Sequence, residues 1–303
     1  MTQQPKLLIT GANGFTGQHA CKHFSKCGYE ITAVSRRESI KTDTMKTEHC
    51  DLTNNHEVNQ LISKVKPHFL LHLAGKNHVE DSWVNPIQTI ETNVLSTLYI
   101  LEATRQFNPS CKILVIGSSL QTNLGEIANL THPYSLSKSL QVLIAQAWEK
   151  YYQLNIVIAQ PTNLIGPGCS NGVNAIFADK IVQMENGKTE KVLFVNNLNY
   201  RRDFVDVRDA VVAYENILSK GKSGDVYEIL SGENFCLGDL IQIYKNLTYI
   251  DFNVVTLTNT ADQLLMTPQP TKLLSLGWKP TISITASLQD TLNYHRHKNS
   301  SIA

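Results

Sequence analysis

No stretch of the 303-residue chain approaches the roughly 18 consecutive apolar residues that a membrane-spanning helix needs. The opening residues, MTQQPK, hold no apolar core of leader-peptide length. These two absences lead to the expectation of a soluble, cytoplasmic protein without a membrane partner. An excess of either charge is missing too: 27 Lys and Arg stand against 26 Asp and Glu, so no global field draws the chain to nucleic acid. The function must reside in a local site. Cysteine is sparse and scattered, and Cys21, Cys27, Cys50, Cys111, Cys169 and Cys236 form no Cys-x-x-Cys pair, which argues against a zinc site or a disulfide frame. His19 and His23 have the spacing of a helical metal pair, but no carboxylate lies between them. They read as surface imidazoles, and no metal is expected. Internal repeats and low-complexity linkers are also absent.

What the chain does have is KLLITGANGFTG, Lys6 to Gly17. An apolar strand runs into a turn where Gly11, Gly14 and Gly17 recur every third residue, and a helix-like segment follows. Glycines there allow a sharp turn, close approach of a ligand, and packing of the helix on the strand. Unpaired N–H groups and the helix dipole at that start favour a pyrophosphate. Asn13 and Phe15 belong to the same turn. A second apolar run, Glu30 to Val34, completes a βαβ unit, so the expectation is a dinucleotide site.

Further apolar runs at Phe69 to Leu73, Lys112 to Ile116, Asn155 to Gln160 and Val226 to Leu230 do not alternate with polar residues. Such strands are buried on both faces, as a parallel sheet between helix layers requires. The expected fold is α/β, a Rossmann-type doubly wound parallel sheet with a smaller C-terminal substrate-binding region. Helices are expected over Asn85 to Gln106, Tyr134 to Tyr152 and near Asn174 to Asn186. The expected domains are residues 1–165, with 204–232 returning to the sheet, and a substrate region of 166–203 and 233–303.

Several groups carry chemistry. Arg36 and Arg37 end the second strand where an NAD site usually places an acid, and guanidiniums there grip a 2′-phosphate. NADP(H) is therefore preferred, NAD(H) remains possible, and the alternative is two solvated loop charges. Asp51 and Leu52 follow a short extended segment, where a carboxylate would meet an adenine amino group. Leu73, Ala74 and Gly75 are small or apolar residues that let the backbone pass close to a cofactor. His72, just before them, is more often a satisfied core residue than a catalyst. Asn93 reads either as a buried amide near the site or as a surface helix residue. Ser118 and Ser119 follow a strand, and Tyr134 and Lys138 lie one helical turn apart. The lysine cation is expected beside the phenol, lowering its pKa, with a serine hydroxyl holding the reacting oxygen.

Together, GANGFTG, HLAG, NVLST, GSS, YSLSK, PTNLIGPG, RRDFVDVRD and LGWKP resemble the extended short-chain dehydrogenase/reductases that act on nucleotide sugars, the NAD-dependent epimerase/dehydratase family. The likeness covers nearly the whole chain. Across HLAGKNHVEDSWVNP, VIGSS and RDFVDVRDAVVAY it is most similar to the reductases of GDP-4-keto-6-deoxymannose. The resemblance implies Tyr134 as proton donor or acceptor, Lys138 on the nicotinamide ribose, and Ser118, or Ser119 if the register slips, on the sugar oxygen. Asn163 and Arg202, with Lys76, would bind the nucleotide sugar, and a homodimer would form through the two helices at 85–106 and 134–152. Where the family's 4,6-dehydratases carry an acid this chain has Leu120, which disfavours dehydration. Gln121 to Gly125, Gln160 and an arginine-free Asn259 to Met266 also depart from the family pattern. The implied activity is NADPH-dependent reduction of a nucleotide-linked 4-keto-6-deoxy sugar, a step of deoxysugar biosynthesis. A nucleotide-sugar 4-epimerase and a non-catalytic NADP-binding regulator are the alternatives.

Overall fold

The computed structural model describes residues 4–36, 45–122, 130–258 and 269–300. Arg37, Asn123 to Gly125 and Asn259 to Met266 lie outside them. The chain divides into two compact units: Met1–Pro161 with Val211–Glu228 and Lys272–Trp278, and Thr162–Ala210 with Ile229–Thr271 and Lys279–Ala303.

The first unit begins β1 (Lys6–Thr10), α1 (Phe15–Lys26), β2 (Glu30–Ser35), β3 (Lys46–His49), α2 (Asn55–Val65) and β4 (Phe69–His72). It continues through α3 (Val79–Val84), α4 (Pro86–Ile90), a π-helical turn (Glu91–Leu95), α5 (Ser96–Phe107), β5 (Lys112–Ile116), α6 (Pro133–Tyr152) and β6 (Ile156–Pro161). After β7 (Asn163–Ile165), α7 (Val173–Glu185), β8 (Val192–Val195), β9 (Arg201–Asp206) and α8 (Val207–Lys220) comes β10 (Val226–Ile229). The main sheet has the order β10-β6-β5-β4-β1-β2-β3. β1 to β6 pair in parallel, and chain order reverses at β1, whose neighbours are β2 and β4. In such sheets the reversal leaves a crevice beyond the carboxyl ends of the strands. The doubly wound Rossmann-like fold is thus present.

The apolar runs explain its stability. Leu7, Leu8, Ile9, Leu70, Leu71, Ile113, Leu114 and Val115 are fully buried, because helices cover both faces of the sheet. Each buried methylene of these strands contributes about 0.8 kcal/mol of hydrophobic stabilisation. Asn54 caps α2 by accepting the His56 and Glu57 N–H groups.

Two expectations are refined. The helix expected over Asn85 to Gln106 is present as a continuous helical run, with a π-helical turn at Glu91–Leu95 that carries Asn93. Within 204–232, Val226–Ile229 joins the main sheet, whereas Phe204 to Asp206 sit in β9 of a separate sheet.

The second unit holds that three-stranded sheet, β11 (Asn234–Cys236), β9 and β7, followed by α9 (Leu237–Leu247), β12 (Asn253–Thr256), which pairs with β8, and α11 (Ile284–Ser300), while α10 (Thr271–Ser275) falls almost wholly in the first unit. Its own core gathers Phe177, Ile181, Phe204, Leu240, Tyr244, Leu288 and Leu292. Asp206 is buried there, bonded by Arg208 at 2.8 Å and by the Ser287 hydroxyl at 2.6 Å. No helix of the described residues is long and apolar enough to cross a membrane.

Candidate active site

A cavity of about 290 Å3 opens at the carboxyl ends of the strands of the first unit. Most of its wall comes from segments that end or follow the strands: Gly11, Asn13 and Gly14 after β1, Ser35 and Arg36 at the end of β2, Cys50, Leu52 and Thr53 after β3, and Leu73 to Lys76 after β4. Val34, Thr92 and Ser96 complete the lining. These last three, with Ser35, Cys50 and Thr53, escaped the sequence reading. Ser35, Thr53 and Thr92 adjoin motif residues, and Ser96 lies within the NVLST motif.

The glycines act as the turn requires, in two ways. Gly11 has φ +67°, and a Cβ there would meet the Ala74 nitrogen at 2.8 Å, so the turn after β1 lies directly against the loop after β4. Gly17 lies in α1, and its Cβ would come within 2.1 Å of the Gly11 carbonyl oxygen. Gly14 is the residue before α1 and supplies no side-chain cap, which leaves the first-turn N–H groups for another acceptor. A cradle lined by backbone and a helix start suits the pyrophosphate of a dinucleotide. Phe15 and Gly17 support this turn and are not part of the cavity wall.

Asp51, expected to meet an adenine amino group, closes a local turn. Its Oδ1 accepts the Thr53 N–H at 3.0 Å and the Thr53 hydroxyl at 2.8 Å, and the first of these is the main cause that holds the carboxyl below its ordinary range. The flanking Cys50, Leu52 and Thr53 face the cavity instead. Arg36 also lines the wall.

Asn93 is a buried amide that clamps the loop after β4. Its Oδ1 accepts the Lys76 N–H at 2.7 Å, and its Nδ2 donates to the Lys76 carbonyl at 3.0 Å and to Ser137 on α6 at 2.9 Å. Lys76 thereby keeps its place in the wall. His72 is the satisfied core histidine anticipated: fully buried, it bonds Thr10 at 2.8 Å and Thr97 at 2.9 Å, and desolvation lowers its pKa to about 3. The ring is neutral.

Tyr134 and Lys138 are both buried on α6. Ser118, after β5, is buried, and its interaction with the Tyr134 phenol lowers the phenol pKa, while Ser119 is exposed and gives its N–H to Pro161. The Ser118 N–H points to the Gln121 side-chain oxygen at 3.3 Å, so the altered segment after the serines serves to hold that turn. Lys138 Nζ donates to the Ile116 carbonyl at 2.9 Å and to Gln141 Oε1 at 2.8 Å. A Cβ on Gly75 would lie 3.6 Å from that Nζ, which puts the ammonium beside the cavity wall.

The expected depression of the phenol pKa is not found. Burial raises the Tyr134 pKa, the Ser118 hydrogen bond only partly offsets this, and Lys138 is not among the causes. Lys138 itself is pushed down to about 8 by desolvation. Its charge is directed at Ile116 and Gln141 rather than at the phenol.

Asn163 and Arg202 belong to the second unit. Asn163 Nδ2 donates to the Asp203 carbonyl at 3.0 Å, and the Arg202 guanidinium stacks 3.4 Å from the centre of the Tyr200 ring while donating to the Arg201 carbonyl at 2.7 Å. The carboxylate of Asp203 accepts from Ser231 and Gly232, and that of Asp206 from Arg208. His23 is not the surface imidazole expected. It is part-buried and bonds Glu215 at 2.7 Å, with the Cys27 sulfur 3.5 Å away, an arrangement that an ordinary His–Glu hydrogen bond explains.

Comparison with known proteins agrees with this geometry. The NAD dependent epimerase/dehydratase family matches residues 7–230. GDP-6-deoxy-D-mannose reductase of Pseudomonas aeruginosa is 28% identical, over 97% of this chain and 97% of its own. A putative UDP-glucose 4-epimerase of Methanocaldococcus jannaschii is 23% identical, over 97% of this chain and 99% of its own. Among solved structures, RMD from Pseudomonas aeruginosa complexed with NADPH superposes with a TM-score of 0.82 and 26% identity, covering 97% of this chain and 100% of that one.

Proposed function

Because the chain belongs to the NAD dependent epimerase/dehydratase family, whose members among its relatives are nucleotide-sugar enzymes, we propose that it is an NADPH-dependent reductase of a nucleotide-linked 4-keto-6-deoxy sugar. The observation that carries this reading is the buried set of Ser118, Tyr134 and Lys138, with Lys138 beside a glycine-lined cavity. The first-turn N–H groups of α1 would hold the cofactor's pyrophosphate, and Arg36 its 2′-phosphate. Leu52, Leu73, Ala74 and Gly75 would line the remainder. When bound, the cofactor supplies a hydride to the sugar C4. Tyr134 gives its phenolic proton to the carbonyl oxygen, Ser118 donates a hydrogen bond to the same oxygen, and Lys138 presents its ammonium to the ribose. Asn163, Arg202 and Lys76 are assigned to the sugar nucleotide.

Reduction is favoured over the epimerase alternative by Arg36, since a reductant that exchanges at every turnover is usually the phosphorylated one, and by the similarity to the P. aeruginosa reductase. The exposed Leu120 offers no proton where the family's dehydratases carry an acid. The homodimer belongs to the same proposal, supported by apolar Ile87 on α4 and Leu143 on α6 facing solvent, and a monomer in light scattering removes it.

The deciding experiment offers GDP-, UDP-, dTDP- and CDP-linked 4-keto-6-deoxy sugars with NADPH and follows its absorbance, with unreduced parent sugars analysed for epimers. Oxidation of NADPH on one of them supports the reductase. Epimers of a parent sugar without net oxidation would replace it with the alternative. A second expected outcome concerns Arg36→Ala combined with Arg37→Ala. Loss of charge-assisted hydrogen bonds of roughly 1.5–3 kcal/mol should weaken NADPH by about tenfold or more and leave NADH nearly unchanged. Equal losses for the two cofactors defeat the 2′-phosphate assignment.

A further inference from the structure

Behind Lys138 runs a line of buried side chains whose protons can be counted. An ammonium only donates, so Gln141 must turn its Oε1 toward Lys138 Nζ, 2.8 Å away, and its Nε2 toward Thr97 Oγ1, 2.9 Å away. The single hydroxyl proton of Thr97 goes to the Asn93 carbonyl at 2.8 Å. His72 Nε2, 2.9 Å from the same hydroxyl oxygen, must then also donate to it. That fixes the Nε2–H tautomer of His72 and leaves Nδ1 to accept from the Thr10 hydroxyl at 2.8 Å. The Thr10 oxygen in turn accepts the Ala74 N–H at 3.1 Å. The direction of each bond along the line thus follows from its neighbours.

We infer that Gln141 is a positioning residue for the proposed reaction: its amide oxygen holds the Lys138 ammonium at the end of β5, and the Thr97–His72–Thr10 line locks that amide and ties it to the cavity loop at Ala74. The inference rests on the role given to Tyr134 and Lys138 above. The bonds are local to the first unit and join α6, α5, β4 and β1. Burial opposes the ammonium, and two acceptors, the Ile116 carbonyl and Gln141, offset that cost. The titratable groups nearest Lys138 are the neutral His72 on β4, whose own shift it deepens, and Tyr134 one helical turn away on α6. No carboxylate contributes to its shift. An amide oxygen is therefore the side-chain group that favours the charged form.

Two substitutions move the balance in opposite directions. Gln141→Leu keeps the bulk and removes the acceptor, so the ammonium is less favoured and Lys138 titrates at lower pH. Gln141→Glu puts a carboxylate in place of the amide oxygen, so Lys138 titrates at higher pH. The shift expected for losing one hydrogen bond to a charged group is about one pH unit, or tenfold in proton affinity.

The test has a part that needs no cofactor. Ligand-free protein carrying lysine labelled with carbon-13 at Cε is titrated by NMR, and the Lys138 signal is assigned by its loss in Lys138→Met. A downward shift in Gln141→Leu and an upward one in Gln141→Glu support the inference, and matching shifts of the alkaline limb of kcat complete it. Wild-type titration in both folded variants overturns it, and so does a moved titration with an unmoved kcat profile. Should Gln141→Leu fail to fold, Thr97→Val releases the amide and is expected to lower the Lys138 titration by a smaller amount. If no sugar is reduced even by the unaltered protein, the reductase reading fails, while the ligand-free titration still judges the Gln141 contact.

Discussion

Tyr134→Phe is expected to lower kcat by about a thousandfold or more while the NADPH dissociation constant changes by less than about twofold. The substitution deletes one oxygen and leaves the buried ring and its stacking on His132, 5.9 Å between centroids, in place. General acid catalysis by a positioned side chain is worth roughly 10²–10⁴ in rate, which sets the scale. Burial raises the phenol pKa, so at neutral pH the group carries the proton that carbonyl reduction consumes. The same shift disfavours the phenolate with which alcohol oxidation begins. The sign follows: a group with a raised pKa keeps its proton below that value, so reduction holds through neutrality. The first loss on raising the pH then comes from Lys138, whose ammonium discharges near 8 in the ligand-free protein. Stopped-time assays of NADPH oxidation from pH 6 to 10 with fluorescence titration of NADPH check both halves, on the roughly 10 reference pKa of tyrosine. Wild-type kcat in the phenylalanine variant would remove Tyr134 from the mechanism.

What was legible beforehand is what depends on neighbours in sequence. The glycine turn, the apolar strands and the Tyr134–Lys138 spacing are local patterns, and the structure places all three as expected. Asp51 shows what position in the chain leaves out, since an Asx turn to Thr53 already engages its Oδ1. The line from Lys138 to Thr10 was invisible for another reason. Gln141 meets Thr97 across 44 positions, and His72 meets Thr97 across 25 and Thr10 across 62, so only the folded sheet brings them together. Gln141 alone left a trace, lying three residues after Lys138 on one helix face. The raised phenol pKa was missed because spacing reveals which charges share a face but not where the ammonium points once buried.

Gly17→Ala is expected to damage both stability and cofactor binding, although alanine is the better helix former. Its Cβ would lie 2.1 Å from the Gly11 carbonyl oxygen and 2.8 Å from two backbone atoms of Ala12. These are main-chain atoms and cannot swing aside like the end of a side chain, so α1 must back away or the turn must move. The Gly11 carbonyl also accepts the Gly14 N–H at 2.9 Å, and Gly11 abuts Ala74, so a moved turn disturbs the helix start and the cavity wall together. Overpacking of this kind costs about 1–3 kcal/mol, and at roughly 2–4 °C per kcal/mol the melting temperature should fall by several degrees. NADPH and NADH should weaken alike, by about tenfold or more, because the pyrophosphate cradle is common to both. That pattern separates this substitution from the arginine pair, which discriminates between the two cofactors. Gly28→Ala is the control at the other end of α1: its φ of +83° makes alanine strained, but nothing lies within 4 Å of the added carbon, so stability falls while NADPH binding holds. Melting curves and NADPH titrations of the two variants decide the matter. If Gly17→Ala binds NADPH as the unaltered protein does, the turn after β1 tolerates displacement and the pyrophosphate is held elsewhere.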